Sequence, residues 1–285
     1  MLRSISSTTN SAPAQDRIYY KTDEEVEIIR ANCLLVCKTL AHVAGRLKPG
    51  ITGRLLDKEA EELIRDNQAE PGFKGYRDFP ATLCISVNEG VVHGIPGDTE
   101  FADGDIVSVD CGVYHNGYYG DAAYTFPLGE IADNVRKLLE VTHEALYLGI
   151  EQAVAGKRLG DIGYAIQNLC ERVHHFSVVR ELVGHGVGRN LHEPPEVPNY
   201  GRRGTGMVLK DGLVIAIEPM INLGRKEVVQ AKDGWTVSAR DRKPSAHFEH
   251  TVVVRKERAD ILSDHTGIEA AAKNNVEISK TSLKK

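Results

Sequence analysis

Asp105–Phe126, DIVSVDCGVYHNGYYGDAAYTF, alternates apolar and polar residues on either side of an Asn116-Gly117 pair. Period-two alternation marks strands with one buried face, and Asn-Gly readily adopts the positive φ angles of a tight hairpin turn. The stretch reads as a β-hairpin with Asp110 on one arm and Asp121 on the other. A turn centred on His115 and Asn116 sets the two aspartates directly opposite each other. A turn centred on Asn116 and Gly117 sets them on the diagonal. Either register keeps both on one face, because a shift of two residues preserves side-chain direction. Facing carboxylates repel unless a cation lies between them. A bound metal ion is the simplest explanation.

Working outward, His185 stands in the Gly-rich run GHGVGRNLHEPP, with His192 seven residues later. Glu218 ends the apolar strand GLVIAIEPM, and Glu249 precedes another, TVVVR. A carboxylate on a buried strand needs a partner charge, since an isolated one is costly to desolvate. Taken singly, each residue has a plainer reading: an aspartate beside a strand forms turns, His185 satisfies a loop, and Glu218 before Pro219 sits in water. Together they offer four carboxylates and one imidazole without thiolates, a set suited to Mn, Fe, Co or Zn. Two such ions about 3.5–4 Å apart are the usual hydrolytic arrangement.

These residues lie in five ordered segments: NEGVVHGIP, DIVSVDCG…GYYGDAA, GHGVGR…HEPP, AIEPM and FEHTVVV. In this order, from about Ile18 to Lys256, the chain resembles the type I methionine aminopeptidases. The resemblance implies an α+β architecture, the pita-bread fold, with two pseudo-symmetric halves of antiparallel sheet and helices around a dinuclear metal site. It implies Asp110, Asp121, His185, Glu218 and Glu249 as ligands of two divalent ions. It makes Glu218 also the base that takes a proton from water, His192 a stabiliser of the oxyanion, and His93 a contact to the scissile amide nitrogen. A pocket for the methionine side chain is implied at Phe73, Tyr76, Phe79, Cys84, Leu182, Leu191 and Trp235. Many members carry aromatics where this chain has Leu182 and Leu191. The expected activity is removal of N-terminal methionine from nascent proteins and peptides, with a small second residue preferred.

Two other readings share part of the pattern. Prolidase-like and aminopeptidase P-like enzymes have the same five ligands but usually a sizeable N-terminal domain, where about 20 residues precede the first helix here. A non-catalytic pita-bread binding protein typically loses ligands, and none is missing. The 31-residue step from Glu218 to Glu249 leaves no room for the insertion of the type II enzymes.

Composition agrees with a globular enzyme. The chain has 285 residues, 41% hydrophobic and 26% charged, with a formal net charge of −5. That balance argues against a nucleic-acid footprint. No uninterrupted apolar run approaches the roughly 20 residues of a membrane span. Cys33, Cys37, Cys84, Cys111 and Cys170 are odd in number and include no CxxC pair. This pattern fits a reduced intracellular chain better than a disulfide scaffold. The resemblance implies a cytoplasmic monomer acting on nascent N-termini, at the ribosome or free of it.

The ordered region is expected to open at Thr22-Asp23-Glu24-Glu25, a capping box. Val26, Ile29, Cys33, Val36, Leu40 and Val43 follow at helical spacing. A second helix is expected over 55–66, and strands over 82–87 and through the hairpin. Helices over 134–153 and 161–173 then precede strands near 182–187, 212–218 and 247–255. Residues 1–17 read as a disordered extension, 18–262 as a single catalytic domain, and 263–285 as a polar tail.

Overall fold

The computed structural model describes residues 17–278. The proposed extension over 1–17 therefore lies, but for Arg17, outside the described residues. Thr22 and Glu25 form the reciprocal cap: the Glu25 amide donates to Thr22 Oγ1 (3.3 Å) and the Thr22 amide to Glu25 Oε2 (3.0 Å). Helix α1 (Asp23–Arg46) begins there. Val26, Ile29, Cys33, Val36, Leu40 and Val43 are all fully buried, so the three-and-four spacing forms one core-facing stripe. Among the described residues, α1 alone is long and apolar enough to cross a membrane by length and composition. Half of that window is buried inside the protein, so its apolarity is used against the sheet.

Helix α2 (Gly53–Asp66) follows, and then the first group of strands: β1 (Glu70–Pro71), β2 (Leu83–Val87), β3 (Gly90–Val92), β4 (Ile106–His115) and β5 (Tyr118–Pro127). The second half opens with α3 (Asp133–Ile150) and α4 (Leu159–Gln167), the latter continuing through a wider π-helical turn to Val173. Its strands are β6 (Ser177–Val178), β7 (Gly184–Gly186), β8 (Glu193–Val197), β9 (Val214–Ile217) and β10 (Met220–Asn222). They continue with β11 (Val228–Gln230), β12 (Val237–Ala239), β13 (Ser245–His247), β14 (His250–Val253) and β15 (Asp260–Ile261). In the first half β4 is flanked by β2 and β5, with β1 also paired to it. In the second, the order β15-β14-β9-β7-β8 makes a five-stranded sheet, and β13-β10-β6 a smaller one. All these pairings are antiparallel. Helices then strands, twice, is the α+β order expected from the sequence.

The hairpin settles its own register. His115 pairs with Tyr118, Gly112 with Asp121 and Asp110 with Ala123. The turn is therefore centred on Asn116 and Gly117, at φ 51° and 81°. The aspartates stand on the diagonal of one face. Helix α1 clamps this turn through Asn32, which is 2% exposed and donates from Nδ2 to the carbonyls of His115 (3.0 Å) and Tyr118 (2.9 Å). Asn32→Ala orphans both acceptors. It should destabilise the protein by about 2 kcal/mol in urea unfolding, and an unchanged midpoint would refute the clamp.

The two halves are tied at the hairpin's inner face. The Glu249 amide donates to the Ala123 carbonyl (3.0 Å), and Thr251 Oγ1 donates to the Asp121 carbonyl (2.8 Å). Thr125 Oγ1 holds the His247 backbone at both its carbonyl (2.6 Å) and its amide (3.0 Å).

The polar tail proposed from residue 263 requires correction. Thr266–Asn274 forms helix α5, which lies against α1 with Ile268 fully buried. Asn275 Nδ2 donates to the Ala44 and Leu47 carbonyls (2.8 and 2.7 Å) at the C-terminal end of α1. Ala271 and Ala272 pack against the same core, but a nine-residue helix whose apolar face is one isoleucine and two alanines leaves little hydrophobic pattern to read. Residues beyond 278 lie outside the described residues.

Candidate metal centre

Five strand segments converge where the halves meet. Asp110 and Asp121 come from β4 and β5, and His185 from the middle of β7. Glu218 follows β9, its carbonyl accepting from Asn199 Nδ2 (2.9 Å), and Glu249 bridges β13 and β14. All five sequence-proposed ligands thus reach one place. One ligand atom from each of Asp121, His185 and Glu249 lies within 4.8 Å of the others, and the same holds for Glu218, His247 and Glu249. His185 Nε2 lies 3.5 Å from Glu218 Oε1 and 3.8 Å from Asp121 Oδ2. Its Nδ1 lies 3.0 Å from the Gly186 carbonyl. A carbonyl only accepts, so Nδ1 carries the proton and Nε2 presents a free lone pair to the carboxylates.

The electrostatics call for a cation. Asp121 and Glu249 are 3% and 2% exposed. Asp110 keeps some exposure toward the cavity, but its Oδ1 is buried. Asp110 Oδ1, Asp121 Oδ1 and Glu249 Oε1 have no hydrogen-bond partner. Burial pushes the Asp110 and Glu218 carboxyls up to about 7, with nearby His247 and His185, respectively, pulling the other way. Asp121 and Glu249 rise as well, from burial and then from the neighbouring carboxylates. Such a group of acids is expensive to ionise alone and becomes favourable once divalent charge enters. The donor set and its orphaned oxygens fit divalent metal.

A cavity of about 350 Å³ opens onto these carboxylates. Phe73, Phe79, Cys84, Leu182, Leu191 and Trp235 all line it, with His93 and His192. Tyr76 stands behind His192: the rings stack at 5.2 Å and Tyr76 Oη lies 2.9 Å from His192 Nδ1. Phe79 and Trp235 meet edge to face at 5.1 Å, forming an aromatic corner. The His192 ring lies 4.2 Å from that of His185. Burial, then the nearness of a second imidazole in His185, hold the His192 imidazole below its ordinary range although one edge is open to the cavity. His93 occupies the left-handed region at φ 58°, a conformation that costs a non-glycine residue on the order of 1–3 kcal/mol. Its ring faces Trp235 at 6.4 Å, and burial lowers its pKa to about 4. Both histidines are therefore neutral at pH 7.

Sequence reasoning overlooked His247. It is 1% exposed, with Nε2 3.4 Å from Glu218 Oε2. The signal was available: residues 247 and 249 are two apart on extended chain, so they share a face. His250, by contrast, is structural, held between Tyr147 Oη (3.0 Å) and Ser263 Oγ (2.8 Å). All five cysteines are free and buried.

Comparison with known proteins points the same way. Methionine aminopeptidase 1 of Bacillus subtilis is 48% identical over 246 residues, covering 86% of this chain and 99% of that protein. The crystal structure of methionine aminopeptidase from Rickettsia prowazekii superimposes with a TM-score of 0.85 at 40% identity, over 87% of this chain and all of that one. Prolidase from Pyrococcus furiosus is more distant, with a TM-score of 0.67 at 25% identity over 86% of this chain and 65% of its own. Residues 27–256 match the model of metallopeptidase family M24. That stretch contains both halves of the sheet and every carboxylate of the cluster, and so the chain belongs to metallopeptidase family M24 and has its pita-bread fold.

Proposed function

We propose that the chain is a metal-dependent methionyl aminopeptidase, a hydrolase that removes N-terminal methionine when the second residue is small. The observation that carries this reading is the convergence of four carboxylates and His185 on a cavity with an aromatic corner, with three carboxylate oxygens lacking any partner. Relatives named methionine aminopeptidase, at 48% and 40% identity, support it. Asp110, Asp121, His185, Glu218 and Glu249 are assigned as ligands of two divalent ions, of which Co, Mn, Fe or Zn suits the donors. Bound ions of this kind lower the pKa of water toward 7 and polarise a carbonyl oxygen.

The protein's own groups divide the remaining work. Glu218, whose carboxylate borders the cavity beside His185, takes the proton of the attacking water. A Tyr76 hydroxyl that donates to His192 Nδ1 leaves the imidazole proton on Nε2, where it can meet the carbonyl oxygen as negative charge develops. Neutral His93 contacts the amide nitrogen and aids its departure. The methionine thioether packs against Phe79 and Trp235, with Cys84 and Leu191 behind, a setting that favours a polarizable unbranched side chain. We place the enzyme in the cytoplasm as a monomer that meets nascent N-termini, at the ribosome or after release.

Three peptides at equal concentration, with one metal, test the assignment. Met-Ala-Ser should be cleaved about 100-fold faster than Met-Leu-Ser, because a large second side chain displaces the carbonyl from attack geometry. Leu-Pro-Ser should be the slow control. Faster turnover of Leu-Pro-Ser than of Met-Ala-Ser would establish an Xaa-Pro enzyme instead.

A further inference from the structure

Glu218 lies between two imidazoles. Its Oε1 faces His185 Nε2 at 3.5 Å and its Oε2 faces His247 Nε2 at 3.4 Å. Neither nitrogen of His247 has a hydrogen-bond partner, although the ring is buried. A buried imidazole without partners is uncommon, since both of its nitrogens normally bond. Its backbone is fixed on both sides by Thr125, which makes the ring's position part of the fold. The separation from Glu218 is long for a good hydrogen bond. It matches the edge of a coordination tetrahedron with bonds of about 2.0–2.1 Å, which is about 3.4 Å. The donor atoms fall into two sets that share Glu249: one holds His185 with Asp121, and the other holds His247 with Glu218.

We propose that His247 is a sixth metal ligand, giving the second ion a nitrogen donor as His185 gives one to the first. The site would then contain one imidazole per ion in place of one imidazole for the pair. An added neutral donor makes the second position less purely carboxylate and shifts its preference toward Co and Zn over harder ions. The proposal rests on the dinuclear reading above.

Co(II) titrated into chelator-stripped wild-type protein should bind at two equivalents. X-ray absorption of that species should show outer-shell imidazole scattering from one ring per cobalt. His247→Gln keeps polarity and approximate volume. It should retain one site within about 3-fold of wild-type affinity, weaken the other at least about 10-fold, and halve the imidazole scattering per cobalt at two equivalents. The wild-type spectrum needs no variant to fold. Two cobalt ions with half a ring each would overturn the role of His247 while leaving the dinuclear reading intact. Wild-type saturation at one equivalent would overturn both. A variant with unchanged affinity at both sites would reduce His247 to a neighbour of Glu218.

Discussion

Glu249→Ala protein should leave purification without bound metal and with activity reduced by more than about 10⁴-fold, because nothing else in the cavity can ionise water at neutral pH. Glu249 contributes an oxygen to both donor sets, so its removal strikes both ions, whereas other changes strike one. Asp110→Ala should lose one ion and most activity. His192→Ala should behave differently. Its imidazole is proposed to meet substrate, so kcat should fall about 10²–10³-fold with metal content unchanged. Metal analysis alongside kcat separates these cases, and equal metal loss in His192→Ala and Asp110→Ala would sink the division of roles. Unfolding is the competing explanation for any dead variant, and charge decides against it here. The Glu249 carboxyl is raised by burial and by Asp121, Glu218 and Asp110, so deleting it removes repulsion from the metal-free protein. Chelated Glu249→Ala should therefore melt at or above chelated wild type at pH 8, although it is inactive. Stability gained where function is lost is expected of a site that holds like charges together.

Much of this centre was legible because its parts obey short-range rules. Asn116-Gly117 fixes a turn, period two fixes a face, and together they bring Asp110 and Asp121 near each other without knowledge of the fold. The choice between opposite and diagonal pairing was not legible. It depended on which two residues take positive φ, and α1 reinforces that choice through Asn32, a contact across 83 residues of chain. His185, Glu218 and Glu249 could be nominated only because ordered motifs resemble a family, since no local pattern brings β7, β9 and β14 to the hairpin. His247 shows the opposite failure. Its two-residue offset from Glu249 was local and readable, but a resemblance centred on five ligands drew attention past it. Helix α5 was hidden for a physical reason: its core-facing stripe of Ile268, Ala271 and Ala272 is short and mostly alanine, and its other anchor is the Asn275 amide. Tyr76, expected in the pocket wall, packs against the Phe73, Phe79, Cys84 and Leu191 cluster and also meets His192 Nδ1.

Thermal stability should depend on pH in opposite senses with and without metal. Asp110 and Glu218 have carboxyls raised from ordinary values of 3.8 and 4.5 to about 7. A raised carboxyl binds its proton more tightly in the folded chain than in the unfolded one. Stability therefore falls as pH rises from the unfolded pKa toward the folded one, and the full penalty is present above it. In chelator, the melting temperature should decline as pH rises from about 5, with the steepest loss near 5.5 and a levelling off above 7. Divalent metal reverses the sign, because it binds the ionised carboxylates and displaces their protons, so its affinity climbs over the same range. The rise in melting temperature caused by saturating Mn(II) should be small at pH 5 and on the order of 10 °C at pH 8. Taking the difference between loaded and chelated samples at each pH cancels acid effects from the exposed carboxylates elsewhere in the chain. Asp110→Asn supplies the internal control: an amide cannot ionise, so the chelated variant should lose less stability on going from pH 5 to 8 than the chelated wild type. A metal-induced shift that is constant from pH 5 to 8 would mean that the carboxylates are already ionised in the metal-free fold, and the cation-demanding cluster inferred from their burial would have to be abandoned.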